Sequence, residues 1–183
     1  MEVDIKKLLK KNFKIGPYFL KNFLSLNKLE KKMILEWRNN ENIRKWCFSN
    51  HIISYKEHQN FLKNLKSDTQ NFYYLVKYKK KNLGVISLQR VDFSNKNGYL
   101  GIYSNPNLKG VGKILIKCLK KIAFEKANLH TLKLEVIEIN THAIKFYKKN
   151  KFQLEGRLRE FVNREGKYLD VLIMGIINEK NKF

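Results

Sequence analysis

The amino-acid sequence predicts one α/β (α+β) domain, in which a twisted mixed β-sheet of about seven strands is flanked by about four helices. Three observations lead to this prediction. Hydrophobic residues make up 43% of the 183 residues, enough for one domain with a buried core. Short apolar segments typical of strands alternate with segments of helical spacing. Between residues 97 and 136, a strand, a glycine turn, a helix and another strand follow one another directly.

The first half of the chain predicts three strands and two helices. Residues 18–23 form the first strand, and residues 28–39 form a helix with apolar side chains at helical spacing. Ser54 is a suitable N-cap for the second helix. Residues 72–78 and 83–91 are strands of a hairpin that turns at residues 79–82.

The second half predicts four strands and two helices. The strand at 99–103 ends before Pro106, and the following helix has a broad apolar stripe. That stripe contains Val111, Ile114, Leu115, Cys118, Leu119, Ile122 and Ala123. Residues 132–136 form the next strand, and Asn140 caps a helix over 143–149. Residues 154–162 and 168–177 pair as a final hairpin.

The domain organisation is simple. Residues 1–16 are rich in lysine and are expected to form a loosely packed basic extension, followed by a single domain over residues 17–178. The N-terminus lacks a signal-peptide core, and no apolar run approaches the roughly 18 residues of a membrane span. Cys47 and Cys118 have neither metal-site nor redox-motif spacing. We therefore expect a protein of the reducing cytoplasm that does not bind membranes.

The net charge of +22, with a pI near 9.9, has three interpretations. The first is nucleic-acid binding. The second is that lysine and asparagine are abundant because of codon bias in an AT-rich genome, with lysines on every solvated face. The third is that part of the excess attracts small polyanions, such as coenzyme A with its pyrophosphate and ribose phosphate. We regard nucleic acid as an unlikely partner.

Residues 107–113, Asn-Leu-Lys-Gly-Val-Gly-Lys, predict a phosphate-binding turn. Glycine has no Cβ, so a ligand approaches the backbone closely there, and a helix N-terminus attracts anions. Lys109 and Lys113 add positive charge. A Walker loop would need Ser or Thr where Ile114 stands, and a dinucleotide fingerprint would need a third glycine. The alternative is an ordinary tight turn before a helix.

A second motif follows this turn at the expected distance. It reads Asn140-x-x-Ala143-Ile144-x-Phe146-Tyr147, then Lys-Lys-Asn-Lys-Phe and Glu155-Gly156. Together the two motifs resemble the acyl-CoA-binding core of the GNAT superfamily of N-acetyltransferases, over roughly residues 17–178. Lys151 stands where that family usually has glycine, and a left-handed conformation there would cost about 1 kcal/mol. The resemblance implies the GNAT fold, with acetyl-CoA as acetyl donor and no metal.

The resemblance also implies where the coenzyme and the catalytic groups lie. Acetyl-CoA is expected between two splayed parallel strands, 99–103 and 132–136. Tyr147 corresponds to the tyrosine that protonates the thiolate. Apart from the resemblance, strand alternation places Glu135 beside the splay, where its carboxylate is expected to take the proton of the amine, with Glu138 as a competing base. Ser87 orients substrate or hydrogen-bonds backbone. The predicted coenzyme-binding residues are Ile102, Tyr103, Lys109, Gly110, Val111, Gly112, Lys113, Asn140, Ala143 and Phe146. The alternatives are that Tyr147 only packs against the core and that Glu135 is a solvated strand residue.

The segment from Glu36 to His58 carries the acceptor-side resemblance. Glu-Trp-Arg-Asn at 36–39, Trp46 and Ile-Ser-x-x-x-His at 53–58 resemble the GNAT enzymes that acetylate UDP-linked amino sugars. Within that group the likeness is to enzymes of pseudaminic acid biosynthesis for flagellin glycosylation, which acetylate the 4-amino group of UDP-4-amino-4,6-dideoxy-N-acetyl-β-L-altrosamine. The implied acceptor-binding residues are Arg38 and His58 at the diphosphate, and Phe48, Phe61 and Tyr99 around the nucleotide and sugar.

Alternatives remain on the acceptor side. Arg38 also suits a helix C-terminus, and His58 an exposed helix surface. A rival enzyme is a protein N-terminal acetyltransferase of the ribosomal type, whose sequences share the Arg-Asn and Trp features. A different class is a nucleic-acid or ribosome-binding protein on the same scaffold, which would not need both the glycine turn and Tyr147. The sequence does not determine the oligomeric state, and a homodimer is left open.

Overall fold

The computed structural model describes residues 4–179, and within them eight strands form one mixed sheet. The strand order is β1-β2-β3-β4-β5-β6-β8-β7. The strands are β1 (Phe13–Ile15), β2 (Tyr18–Asn22), β3 (Phe72–Tyr78), β4 (Lys81–Asp92), β5 (Asn97–Ser104), β6 (Thr131–Ile137), β7 (Gln153–Arg164) and β8 (Lys167–Ile177). The predicted mixed sheet is confirmed, with one strand more than expected.

Six α-helices connect or flank the strands in the same range. They are α1 (Ile5–Leu9), α2 (Lys28–Asn39), α3 (Glu41–Arg44), α4 (Tyr55–Asn64), α5 (Gly112–Lys121) and α6 (Thr141–Lys149). A π-helical turn, Ile122–Lys126, continues α5, and a 3-10 turn, Phe23–Ser25, follows β2. Asn27 and Ser54 close capping boxes with Glu30 and Glu57 at the starts of α2 and α4, so the cap predicted at Ser54 is confirmed.

β5 and β6 are the one parallel pair in the described sheet, and they separate soon after they meet. Their register covers only Asn97–Tyr99 against Thr131–Lys133, although β5 continues to Ser104 and β6 to Ile137. The separation leaves a V-shaped opening in the middle of the sheet, which we call the splay. The predicted parting of these two strands is confirmed.

The two faces of the sheet carry separate apolar cores. The amphipathic helix α5 packs on one face, where Leu115, Cys118 and Leu119 are fully buried against residues of β3 to β6. On the other face Ile34 and Trp37 of α2 and Leu62 of α4 pack against β3 and β4. The helices α2 and α4 therefore cover only part of that face, and the splay opens beside them.

The expectation of a loosely packed extension over residues 1–16 is wrong for residues 4–16. Leu9 is completely buried, and Phe13 and Ile15 pack into the main core. β1 pairs with β2, and the hydroxyl of Tyr74 donates to the carbonyl oxygen of Leu9. The apolar residues lie among lysines whose charged ends stay in water, so composition hid the pattern. Residues 1–3 lie outside the described part.

The C-terminal hairpin is longer than predicted and contains bulges. β7 runs through Arg164, and its register against β8 shifts between Leu158 and Val162. Just before β7, Lys151 has a φ of 70°, so this lysine adopts the left-handed conformation that glycine usually takes at that position of the family. Among the described residues, no helix is long and apolar enough to cross a membrane.

Candidate active site

A cavity of about 800 Å³ opens at the splay. Its lining includes side chains of β4, β5 and β6, the first residues of α5 and α6, and the inner faces of α2 and α4. The cavity therefore joins the glycine turn to the region of Arg38 and His58. We call the part beside α5 and α6 the donor wall and the part beside α2 and α4 the acceptor wall.

The donor wall is built on a helix end without a side-chain cap. α5 begins at Gly112, and Val111 in the N-cap position makes no capping hydrogen bond. The backbone N–H groups of residues 109–113 donate no hydrogen bond to any acceptor in the described part of the chain. Lys109 and Lys113 are exposed at the same end. Free N–H groups, the helix dipole and two ammonium groups suit a bound pyrophosphate.

Glycine is required at the two positions of the turn for different structural reasons. Gly110 has a φ of 77° with open space around it, so the backbone conformation itself favours glycine. Gly112 has no such φ, and a Cβ there would come within 3.2 Å of the Phe146 ring. The expectation that both glycines serve ligand approach is therefore too simple, because Gly112 lets α5 pack closely against α6. Val111 is buried in the core.

Tyr147 lies on α6 and lines the cavity with only 8% of its surface exposed. Its ring packs edge-on against Phe146 and Phe152, at centroid distances of 5.4 and 5.7 Å. Burial raises the pKa of Tyr147 well above its usual value, so the hydroxyl stays protonated at neutral pH. Asn140 fixes the start of this helix by accepting from the N–H of Ala143 at 3.2 Å.

β5 supplies the floor of the splay. Beyond Tyr99 it has β4 as a partner on one side but no strand on the other, where β6 has turned away. Ile102 and Tyr103 lie in this part and line the cavity. An extended ligand in the splay can therefore hydrogen-bond the free edge of β5 as a strand would. This geometry agrees with the prediction of Ile102 and Tyr103 as coenzyme-binding residues.

Glu135 projects from β6 into the cavity as half of an ion pair. Its Oε2 lies 2.9 Å from Nη2 of Arg90, and the Arg90 guanidinium stacks 3.6 Å from the centre of the Tyr99 ring. Sequence reasoning missed Arg90, which has a φ of 49° at a bulge of β4 and lies next to β5 only in the folded sheet. The competing base, Glu138, is paired with Arg157 at 2.9 Å and does not line the cavity.

Ser87 is buried, with a relative exposure of 2%, and its hydroxyl already has hydrogen-bond partners. It accepts a hydrogen bond from Nε2 of Gln89 at 2.7 Å and lies 3.5 Å from the carbonyl oxygen of Gly101. A Cβ on Gly101 would stand 2.5 Å from the Ser87 hydroxyl. These contacts favour the backbone-bonding role expected as one alternative for Ser87, although the residue does border the cavity.

On the acceptor wall, His58 differs from expectation. It is buried, not exposed, and its Nε2 lies 3.1 Å from the carbonyl oxygen of Lys31, so this nitrogen must carry the proton. Burial lowers the pKa of His58, with a smaller opposing effect from that hydrogen bond, and favours the neutral ring. The remaining Nδ1 is then an acceptor, which cannot donate to a phosphate. The predicted diphosphate contact of His58 conflicts with this geometry.

Arg38 lines the acceptor wall, and one of its amino groups has no partner in the described part of the chain. One amino group, Nη2, donates to the carbonyl oxygen of Ser49 at 3.0 Å, while the other, Nη1, is buried without a hydrogen-bond partner among the described residues. The aromatic residues stand nearby: Phe61 packs edge-on against Tyr73 at 5.1 Å, and Phe48 is 39% exposed. Tyr73 was missed, because its strand pattern alone does not show which face meets the cavity.

A splayed parallel strand pair with an uncapped helix N-terminus at its opening suits an extended ligand that carries a pyrophosphate, as coenzyme A does. Residues 25–173 match the family model described as an acetyltransferase (GNAT) domain, and the chain belongs to this family. It is therefore an N-acetyltransferase that uses acetyl-CoA. In the described residues, no group of three or more His, Cys, Asp or Glu side chains could hold a metal ion.

Relatives come from two branches of the family. Acetyltransferase PseH of Campylobacter jejuni is 38% identical over 142 residues, which cover 78% of this chain and 88% of the relative. The spermidine N(1)-acetyltransferase of Vibrio cholerae is 28% identical over 163 residues, covering 86% of this chain and 94% of that protein.

Solved structures of both relatives resemble this chain. The crystal structure of C. jejuni PseH in complex with acetyl coenzyme A has a TM-score of 0.70 at 31% identity, covering 88% of this chain and 99% of that one. The V. cholerae spermidine N-acetyltransferase in complex with CoA and spermine has a TM-score of 0.80 at 25% identity, covering 89% and 96%.

Proposed function

We propose that the chain transfers the acetyl group of acetyl-CoA to the 4-amino group of a UDP-linked 4-amino-4,6-dideoxy sugar, UDP-4-amino-4,6-dideoxy-N-acetyl-β-L-altrosamine, in pseudaminic acid biosynthesis. The observation that carries this proposal is the acceptor wall. Arg38 presents a buried guanidinium nitrogen without a partner, beside aromatic residues that suit a base and a deoxy sugar. The 38% identity to C. jejuni PseH supports the same acceptor class.

The charge of the cavity lining disfavours a polyamine acceptor. Glu135 is the single carboxylate among its described lining residues, and that carboxylate is already paired with Arg90. A spermidine chain carries several positive charges and would meet Arg38 and Arg90 without compensating anions. The higher TM-score of the spermidine enzyme reflects the path of the backbone and not the charge of the pocket. An anionic acceptor fits the wall better.

The reaction follows from the groups that line the splay. The acceptor amine attacks the carbonyl carbon of the acetyl thioester, forming a C–N bond. Glu135 takes the proton that the amine loses, directly or through water, and the C–S bond then breaks. Tyr147 gives its proton to the departing thiolate. Because burial raises the pKa of Tyr147, its proton transfer to a thiolate of pKa about 8.5 depends on positioning.

Inhibition by UDP tests the acceptor class directly. UDP should compete with the sugar nucleotide and leave the KM for acetyl-CoA unchanged, because the two ligands occupy different walls. Thiol release would be followed with a panel of UDP-amino sugars, spermidine and ribosomal N-terminal peptides. If UDP does not inhibit, or if peptides or spermidine are better acceptors than every amino sugar, the proposal is wrong.

Arg38→Met tests the residue that supports the proposal. The variant should raise the KM for the sugar nucleotide by the equivalent of about 1.5–3 kcal/mol, the usual contribution of a charged hydrogen bond. The KM for acetyl-CoA should not change. Lys32→Met is the matched control, since this exposed lysine lies on the same helix, and its side chain is 73% exposed. If both substitutions raise the KM for the sugar nucleotide equally, the cause is the loss of one positive charge and not a contact of Arg38.

The proposal places the reaction in the cytoplasm. Cys47 and Cys118 are both free thiols, as expected in a reducing compartment. Fractionation of the source cells tests this point, and recovery of the protein outside the cytoplasmic fraction would contradict it.

A further inference from the structure

The segment that follows α3, residues 46–50, is held by arginine side chains. We call this segment the acceptor loop, because Trp46, Cys47 and Phe48 line the acceptor wall. Four consecutive carbonyl oxygens of the loop, those of residues 47–50, each accept a hydrogen bond from an arginine. Arg164 donates to Cys47 and to Phe48 (3.1 Å), Arg38 donates to Ser49 (3.0 Å) and Arg44 donates to Asn50 (2.7 Å).

Arg164 differs from the other two arginines in where it comes from. Arg38 and Arg44 belong to α2 and α3, directly before the loop, whereas Arg164 ends β7 at the outer edge of the sheet. Three residues before Arg164 on the same strand, Phe161 packs edge-on against Phe48 at a centroid distance of 5.9 Å. The tip of the β7–β8 hairpin thus contacts the acceptor loop with one polar and one aromatic group.

We infer that Arg164 is a positioning residue that sets the acceptor wall by fixing the acceptor loop against the β7–β8 hairpin. A guanidinium carries several N–H donors in a rigid fork, so one side chain holds two neighbouring carbonyls in a defined orientation. The other wall of the cavity, with the glycine turn and Tyr147, has no contact with Arg164 among the described residues. Loss of this contact should therefore affect acceptor binding and spare acetyl-CoA.

The acceptor loop has little regular structure of its own to replace these hydrogen bonds. Residues 47–53 contain no helix or strand, and Phe48 is 39% exposed. Without Arg164, the carbonyls of Cys47 and Phe48 would turn to water and the loop would lose its polar contact with the hairpin, while its hydrogen bonds to Arg38, Arg44 and Ile43 would remain. The fold does not depend on this contact, since the sheet and both cores lie elsewhere. The inference rests on the proposed function in one respect, that the acceptor binds at the acceptor wall. It does not depend on which amine the acceptor carries.

A tryptophan reports the state of the loop directly. Trp37 and Trp46 are the two tryptophans of the chain, so Trp37→Phe leaves Trp46 as the single reporter. In that background, Arg164→Met should raise acrylamide quenching of Trp46 and lower its fluorescence anisotropy. The KM for the UDP-amino sugar should rise about tenfold, as expected for loss of a charged hydrogen bond, with the KM for acetyl-CoA within about twofold. Arg164→Lys should recover part of both effects.

Arg159→Met is the matched control. Arg159 lies exposed on the same strand and does not contact the acceptor loop in the described structure. Its replacement by methionine removes the same charge as Arg164→Met. An equal rise of the acceptor KM in this variant would assign the effect to long-range charge and overturn the inference. Unchanged Trp46 quenching in Arg164→Met would overturn it as well, as would equal increases of both KM values. If the parent enzyme acetylates another amine and no UDP-amino sugar, the proposed acceptor falls, and the same KM comparison is made with that amine.

Discussion

Tyr147 and Glu135 face one cavity from α6 and β6, but their surroundings are opposite in character. Tyr147 is enclosed by aromatic rings, which disfavour the phenolate and keep the proton available for transfer. Glu135 is paired with the Arg90 guanidinium at 2.9 Å. The two groups thus line one cavity from different elements, where a phenol and a carboxyl group can give and take a proton only if substrate is positioned against them. Their predicted roles as acid and base are tested by the two substitutions below.

Tyr147→Phe should remove the general acid and leave the packing intact. The ring contacts with Phe146 and Phe152 involve no hydroxyl, so the melting temperature should not fall. Turnover should fall about 100-fold, while the KM for acetyl-CoA changes little. Steady-state kinetics with the preferred acceptor measures both. Near-normal turnover would assign Tyr147 to packing alone.

Glu135→Gln should lower kcat/KM about 100-fold at neutral pH, since no carboxylate then takes the proton of the amine. The deficit should shrink as pH rises, because solvent hydroxide then takes more of the proton that the attacking amine loses. A pH–rate profile from pH 6 to 10 checks this. Glu138→Gln is the control, since Glu138 pairs with Arg157 away from the cavity, and its activity should match that of the wild type.

At the scale of the element, the start of α5 combines two requirements in three residues. Gly110 provides a left-handed backbone conformation, and Gly112 allows the helix to approach Phe146 of α6. Both features serve one geometry, in which α5 begins at the cavity with N–H groups that have no acceptor among the described residues. The helix continues into a π-helical turn at Ile122–Lys126, where its buried stripe still contacts the core.

Valine at the two glycines should weaken acetyl-CoA binding for different reasons. Gly110→Val strains the turn itself, because a β-branched residue strongly disfavours a φ of 77°. Gly112→Val pushes against the ring of Phe146, so adding Phe146→Leu should restore much of its acetyl-CoA affinity. The same second substitution should not rescue Gly110→Val. Titration calorimetry with acetyl-CoA measures all four variants, and unchanged affinity in both single variants would reject this site for the pyrophosphate.

At the scale of the whole molecule, Glu30 joins an acceptor-wall helix to the sheet. It lies at the start of α2, nearly buried, and pairs with Lys21 of β2 at 2.7 Å and Lys77 of β3 at 2.8 Å. Burial by itself would raise the pKa of Glu30, but hydrogen bonds from the two lysines and from the N–H of Asn27 lower it to about 2. The carboxylate is therefore a stabilising charge of the folded state.

Stability should depend on pH through Glu30. Because its folded-state pKa lies below the ordinary value of 4.5, its contribution is present above pH 4.5 and lost as the pH falls towards 2. Glu30→Gln should lower the free energy of unfolding by about 2–3 kcal/mol at pH 7, with a much smaller difference at pH 3. Urea titrations at both pH values measure this. Glu36→Gln, on the exposed face of α2, should have little effect at either pH.

The sequence identified the site residues best where a local motif defines them. The glycine turn, the Asn140 cap and the left-handed Lys151 all follow from short-range backbone rules, and the structure has each of them. Arg90, Arg164 and Tyr73 were not predicted, because each meets its partners through strand pairing or from the far end of the chain. His58 was placed correctly near the cavity, but its engagement by the Lys31 carbonyl depends on how α2 and α4 pack.

The sequence by itself determined the order of most elements and the family, and it predicted the donor side of the site. These depend on periodicity and on residues close together in the chain, where hydrogen-bonding and steric rules act locally. Tertiary structure decided that residues 4–16 belong to the sheet and the core, and that Glu135 is paired with Arg90. It also decided that Arg164 holds the acceptor loop. Burial and charge pairing between distant segments depend on which faces meet, and only the folded chain specifies that.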